Sequence, residues 1–216
     1  VPTPQPLLAC GAELKHTFCL ARDGDAVLSP HIGDLENWET HQAFVDGVDH
    51  LQRLYGIEPV VVAHDLHPEY LSTKYALGLT GVEHLGVQHH HAHIAACLAD
   101  NGRREPVVGV AFDGLGFGTD GTLWGGEILA ADLTGFERLG HLAPVPMPGG
   151  AAAIREPWRM AAAHLDAVLG RRRSARTAVG RRHADGWGPV LDAAGAGVNA
   201  PLTSGMGRLC DAVAAV

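Results

Sequence analysis

The chain has 216 residues, 46% of them hydrophobic and 28 of them glycine, which is enough for one large globular domain or two small ones. A formal net charge of -8 argues against general binding to nucleic acid or to an acidic membrane surface. Cys10, Cys19, Cys97 and Cys210 form no CxxC pair, so neither a zinc ribbon nor a disulfide scaffold is indicated, and all four read as reduced, small buried hydrophobes.

Residues 7–11, 17–21 and 26–31 read as three strands, with Arg22-Asp23-Gly24-Asp25 turning the second into the third. Lys15 follows the first strand, where it serves either a phosphate-facing loop or a solvated hairpin. Residues 34–37 offer N-capping side chains, and Phe44, Val48, Leu51 and Tyr55 then recur at helical spacing until Gly56. A buried strand over 59–63 and a helix over 68–79 follow. Between them His64 and His67 flank a strand end, where open α/β sheets line their clefts. An Asp65 that caps the helix beside structural histidines explains this segment equally well. Residues 82–87 form the next strand, which enters Val87-Gln88-His89-His90-His91-Ala92-His93. His89 and His93 stand at i and i+4, so on a helix both rings project from one face and can grip one metal ion. His90 and His91 point elsewhere, as groups supporting the ligands or facing substrate. Ile94, Cys97 and Leu98 mark the buried side of this helix and Gly102 ends it.

The order so far is βββαβαβα, a meander followed by alternating crossovers. This is the α/β, ribonuclease-H-like unit of the actin, Hsp70 and sugar-kinase superfamily, a statement about fold alone. We place a first lobe at residues 1–105 and the opening strands and helices of an incomplete second lobe at 106–216.

The pattern restarts with a buried strand from Val107 that ends in Phe112-Asp113-Gly114-Leu115-Gly116-Phe117-Gly118. A carboxylate at a strand end suits a third metal ligand, and glycine-rich backbone at Gly114, Gly116 and Gly118 can approach nucleotide phosphates closely. Residues 122–131 and 136–142 form an antiparallel pair. Residues 144–150 form a link, and a helix runs near 156–169. Arg155 and Arg159 grip an anion or form structural salt bridges, whereas Trp124 and Trp158 read as core anchors. Residues 171–197, first basic and then rich in Gly and Ala, read as an exposed or partly ordered connection. A final apolar helix begins at Met206. No stretch approaches the ~20 apolar residues of a membrane span and no signal pattern opens the chain, so the cytoplasm is expected.

Several motifs together carry a resemblance. Gly11-Ala12-Glu13-Leu14-Lys15, His31-Ile32-Gly33-Asp34-Leu35-Glu36-Asn37, His64-Asp65-Leu66-His67-Pro68-Glu69-Tyr70 and the Gln88 to His93 cluster lie in the first half. Phe112-Asp113-Gly114 with Gly118-Thr119-Asp120-Gly121, Trp124-Gly125-Gly126-Glu127, Ile154-Arg155-Glu156-Pro157-Trp158-Arg159 and Pro201-Leu202-Thr203-Ser204 follow. They resemble the hydrogenase maturation carbamoyltransferase family, HypF, over nearly the whole chain. Several of them separate that family from the tRNA threonylcarbamoyltransferases and the antibiotic O-carbamoyltransferases.

The resemblance implies a carbamoyl-transfer module that holds carbamoyl adenylate, made from carbamoyl phosphate and ATP in other domains. It passes the carbamoyl group to the C-terminal cysteine of HypE. His89, His93 and Asp113 become ligands of a divalent iron or zinc ion, joined in the family by a further aspartate beyond this sequence. The implied partners are the HypE tail and the remaining domains, with no nucleic acid and no membrane. A module with only the opening part of its second lobe is expected to bind metal weakly, to transfer little alone and to expose apolar surface around the Met206 helix. Two other readings stand beside it: a related enzyme with another acceptor, such as a tRNA adenosine or a small-molecule hydroxyl, and a non-catalytic nucleotide- or metal-binding scaffold. The histidine spacing is not HExxH, which argues against a zinc protease.

Overall fold

The computed structural model describes residues 3–216, which form two compact units, one closing at Ala92 and one running from His93 to Val216. In the first, β1 (Leu7–Ala9), β2 (Cys19–Arg22) and β3 (Asp25–Leu28) make the expected meander, with Asp23 and Gly24 at positive φ in the turn. α1 (Trp38–Tyr55) starts where the Asn37 side chain accepts the Thr40 N–H and stops at Gly56 in the left-handed region. β4 (Val61–Asp65), α2 (Leu71–Gly78), β5 (Glu83–Val87) and α3 (His89–Asp100) follow. Sheet order is β3-β2-β1-β4-β5, with β1, β4 and β5 parallel. Leu8, Phe18, Leu20, Phe44, Val48 and Val62 fill the core between this sheet and its helices.

Among the boundaries that differ from expectation, two matter for the site. β4 lies two residues later than the sequence suggests, because the Val60 and Val61 N–H groups donate to Pro6 and the strand then pairs to its end with β5. Asp65 is therefore its last residue. α2 begins at Leu71 rather than Pro68 because the Glu13 carboxylate, 58 residues away, accepts the Leu71 N–H at 2.7 Å. Glu13 thus caps a helix, and the same loop holds Lys15 at φ 51°, its N–H donated to Asp34.

In the second unit β6 (Val107–Phe117), β7 (Leu123–Ala131) and β8 (Phe136–His141) form an antiparallel ribbon. The short β9 (Val145–Pro146) lies inside the stretch expected to be a plain link. Helices α4 (Ala152–Arg155) and α5 (Trp158–Leu169) are broken at Glu156-Pro157. The stretch 171–197 is a correction. It is not an exposed connection but three helices: α6 (Arg171–Ser174), α7 (Ala178–Arg182) and α8 (Ala184–Gly195). Val179, Trp187 and Leu191 are buried against Met160 and its neighbours on α5, and the Trp187 indole N–H donates to Ser174 Oγ. Small residues and arginine stems hid an amphipathic pattern that close helix packing makes effective.

β10 (Leu202–Thr203) pairs with β7 and β9, and α9 (Met206–Ala215) closes the described chain. Cys97 and Cys210 are exposed, which corrects their reading as buried hydrophobes; Cys10 is buried. Cys97 misses the apolar stripe of α3 that Ile94 and Leu98 bury. Apolar side chains are exposed on α9 at Val213, and more extensively along one face of β6 at Val108, Val110 and Phe112. No helix is long and apolar enough to cross a membrane among the described residues.

His16 is buried and His164 half-buried, each with a buried, unpartnered Nε2, and desolvation pushes both rings below the usual imidazole range. A ring kept neutral in the fold but free to protonate when unfolded costs stability as pH falls through the ordinary value near 6.5. Unfolding free energy is expected to drop between about pH 7.5 and about pH 5.5, with a slope of up to ~1.4 kcal/mol per pH unit per ring. Denaturant titrations of His164→Leu should show a shallower slope than the parent chain. Equal slopes would remove His164 from the account.

Candidate metal centre

The parallel strands of the first unit deliver their carboxyl ends side by side. β4 and β5 pair with Asp65 opposite Val87, so the carboxylate ending β4 stands beside the turn that opens α3. Gln88 shapes that turn: its Oε1 accepts the His91 N–H and its amide lies 3.2 Å from His90 Nδ1. His90 is fully buried and belongs to the interior. His89 Nδ1 lies 2.7 Å from Asp65 Oδ2, with the His89 side chain only 16% exposed. His64 Nδ1 contacts its neighbour's carbonyl oxygen, that of Asp65, and His67 stacks on Tyr70 at 4.1 Å. Burial pushes the His67 ring down, against the pull of Asp65 and Glu69.

α3 is one continuous helix, so His93 projects from the same face as His89 one turn later. The body of α3 lies flat on β6 because Gly109 has no side chain: a Cβ there would meet Ile94 Cδ1 at 2.3 Å. That close approach sets His93 Nε2 3.9 Å from Asp113 Oδ2, with Asp113 about one-third exposed. A cavity of about 240 Å³ opens here, lined by His93, Val110, Ala111, Phe112 and Asp113.

Asp113 does not end its strand, as the sequence suggested. β6 continues to Phe117, and its register with β7 shifts between Phe112 and Gly116, so Asp113 sits in a bulge that re-aims its side chain. Its Oδ1 accepts the Gly114 N–H at 2.6 Å. Gly114 and Gly116 are strand residues, and Gly118 starts the turn to β7. A Cβ on Gly118 would strike the Trp124 indole at 2.1 Å, which explains that glycine without a ligand. On the other side of Asp113, Gly125 at φ 156° and Gly207 both abut the 113–114 backbone. Arg155 is exposed at the end of α4, while Arg159 pairs with Glu156 at 2.6 Å, the structural alternative weighed for it.

Two donors each about 2 Å from one ion stand roughly 3 to 4 Å apart, so the His93–Asp113 separation suits a shared divalent cation. Two imidazoles and a carboxylate form a mixed N/O set of the kind that iron and zinc accept. The sequence missed three contributors: Asp65, Gln88 and Gly109. Only Asp65 left a signal, a carboxylate at a parallel strand end next to two histidines.

The sheet order of the first unit and the histidines at its carboxyl edge define an α/β protein of the actin-like, ribonuclease-H-like class. The family profile described as "HypF Kae1-like domain" matches residues 2–100, and "Carbamoyltransferase, Kae1-like Domain, second subdomain" matches 109–216. The chain is 49% identical over 212 residues to carbamoyltransferase HypF2 of Cupriavidus necator, covering 96% of this chain and 26% of that protein. A HypF homolog of the same organism is 45% identical over 97% of this chain and 54% of its own length. The crystal structure of full-length HypF in a phosphate- and nucleotide-bound form superposes with a TM-score of 0.93 at 39% identity, covering 99% of this chain and 33% of that one. The chain belongs to the HypF carbamoyltransferase family, and it spans about a quarter to a half of the length of these curated relatives.

Proposed function

We propose that the chain is the carbamoyl-transfer module of a HypF-type enzyme, passing the carbamoyl group of carbamoyl adenylate to the C-terminal cysteine thiol of HypE. The observation that carries the reading is the pairing of His93 with Asp113, one helical turn from a His89 held by a buried carboxylate. Family membership and the phosphate- and nucleotide-bound form of the solved relative support it. A divalent ion held by His89, His93 and Asp113 supplies Lewis acidity toward a carbamoyl or phosphoryl oxygen.

The protein's own part is to place donors and keep them in register. The Gly109 contact fixes α3 against β6, and the bulge at Asp113 aims its carboxylate at His93. In the reaction the thiolate sulfur bonds to the carbamoyl carbon, the bond from that carbon to the phosphate oxygen breaks, and AMP leaves. The thiol proton passes to solvent or to AMP. Gly114 and Gly116 remain proposed nucleotide contacts of the second unit and Lys15 of the first, Gly118 being accounted for by the Trp124 indole, and the remaining family domains supply the adenylate.

The test is a chimera in which this chain replaces the matching 212 residues of the Cupriavidus relative. Given carbamoyl phosphate, ATP and HypE, it is expected to place a carbamoyl adduct on the terminal cysteine. Chelation should stop the reaction, and Fe(II) or Zn(II) should restore it. Adduct formation that survives chelation would dismiss the metal reading, and an adduct on a tRNA or a small hydroxyl instead of HypE would change the acceptor.

A further inference from the structure

Asp65 is 7% exposed, and its two carboxylate oxygens have separate partners. Oδ1 accepts the His67 N–H at 2.8 Å and Oδ2 meets His89 Nδ1 at 2.7 Å, while the main-chain oxygen accepts the Thr73 hydroxyl at 3.1 Å. Apart from the histidine, the residue is therefore held by two hydrogen bonds, one to its side chain and one to its main chain. Strand pairing places it there, since Asp65 lies opposite Val87 and His89 follows two residues later.

We infer that Asp65 is a positioning residue for the metal centre: it sets the tautomer and the ring plane of His89 so that Nε2 presents its lone pair for ligation. The inference rests on the metal reading above. An ionised carboxylate only accepts hydrogen bonds, so a neutral His89 paired with it carries its proton on Nδ1 and its lone pair on Nε2. A histidine so held loses neither rotamer freedom nor the wrong-tautomer fraction when it binds, and the carboxylate raises its basicity as a ligand. The two-oxygen arrangement makes aspartate specific here. An asparagine has one acceptor for two donors, so its NH₂ group must face either the His67 N–H or the His89 ring. In the second case His89 becomes an Nδ1 acceptor with its proton on Nε2.

Asp65→Ser separates the two duties, because a serine hydroxyl accepts an N–H two residues on but is too short to reach His89. The measurements use the 216-residue chain. Imidazole ¹⁵N shifts of His89 are recorded without metal, Co(II) affinity by its visible absorption, and folding by thermal melts. The parent chain is expected to show the Nδ1–H tautomer. Asp65→Ser is expected to lose it and to bind Co(II) about 10- to 100-fold more weakly, and Asp65→Asn to do so to the extent that its NH₂ group faces His89. His89→Ala is expected to weaken Co(II) binding at least as far. If His89→Ala weakens Co(II) binding but both Asp65 variants keep the parent affinity and tautomer, the positioning role is overturned and the metal reading stands. If Co(II) binding is indifferent to His89→Ala, the metal reading falls and the inference with it. Should Asp65→Asn melt early, the Asp65→Ser comparison decides.

Discussion

Replacing His89 and His93 together by alanine in the chimera is expected to lower carbamoyl transfer to HypE by about three orders of magnitude, with adenylate formation unchanged. Lewis-acid stabilisation of a developing charge is worth several kcal/mol, and each 1.36 kcal/mol is tenfold in rate. On the proposed division of labour the two steps separate, because the histidines lie on α3, within the residues matched by the HypF Kae1-like domain. The His93 side chain is 61% exposed and the apolar face of α3 is untouched, whereas loss of His89 removes one partner of the buried Asp65, so melting is measured beside activity. Carbamoyl-dependent ATP turnover, the HypE adduct and thermal melting report the three quantities independently. Loss of adenylation together with transfer, or a collapse in melting temperature, would make the pair structural.

Arg138→Ala is expected to destabilise the second unit by about 3–5 kcal/mol, the cost of stranding a buried charge. Glu127 is fully buried and receives Arg138 Nε at 2.7 Å, the Ser204 hydroxyl and the Gly125 and Gly126 N–H groups. Arg138 in turn pairs with Asp120 at 3.0 Å and lies 4.0 Å over the Trp124 ring. Desolvation pushes the Glu127 carboxyl up, but the hydrogen bonds from Arg138, Ser204 and Gly125 outweigh it and hold the group below the usual range. Its ionised form therefore favours the fold above the ordinary value of 4.5, and that contribution is lost as pH falls through the lower folded value. Urea unfolding of Arg138→Ala, Glu127→Gln and the double variant gives the coupling. Arg171→Ala, at a pair with the half-buried Asp166 and the exposed Asp192, should cost about 1 kcal/mol. A cost for Arg138→Ala as small as that would show that Glu127 is satisfied without it.

Local pattern made the first unit readable. Alternation marked β1 to β3, the 3.6-residue stripe through Phe44 and Val48 marked α1, and Gly56 ended it, because each signal is carried by neighbours in the chain. The same holds for His89 and His93, whose shared face follows from their spacing alone. Residues 171–197 were misread for the opposite reason. Val179, Trp187 and Leu191 are separated by glycine, alanine and arginine, and only contact with Met160 and its neighbours tells a buried face from a solvated one.

The order of elements in the first unit and the shared face of His89 and His93 were thus determined by the sequence, which also offered Asp113 as a candidate partner. Tertiary structure alone decided what those residues meet. Glu13 caps a helix 58 residues away, Gly109 admits Ile94, the register shift in β6 turns Asp113 toward His93, and parallel pairing of β4 with β5 sets Asp65 against His89. Each of these depends on which strands become neighbours and in what register, quantities fixed by burial of the whole core rather than by any local run of residues.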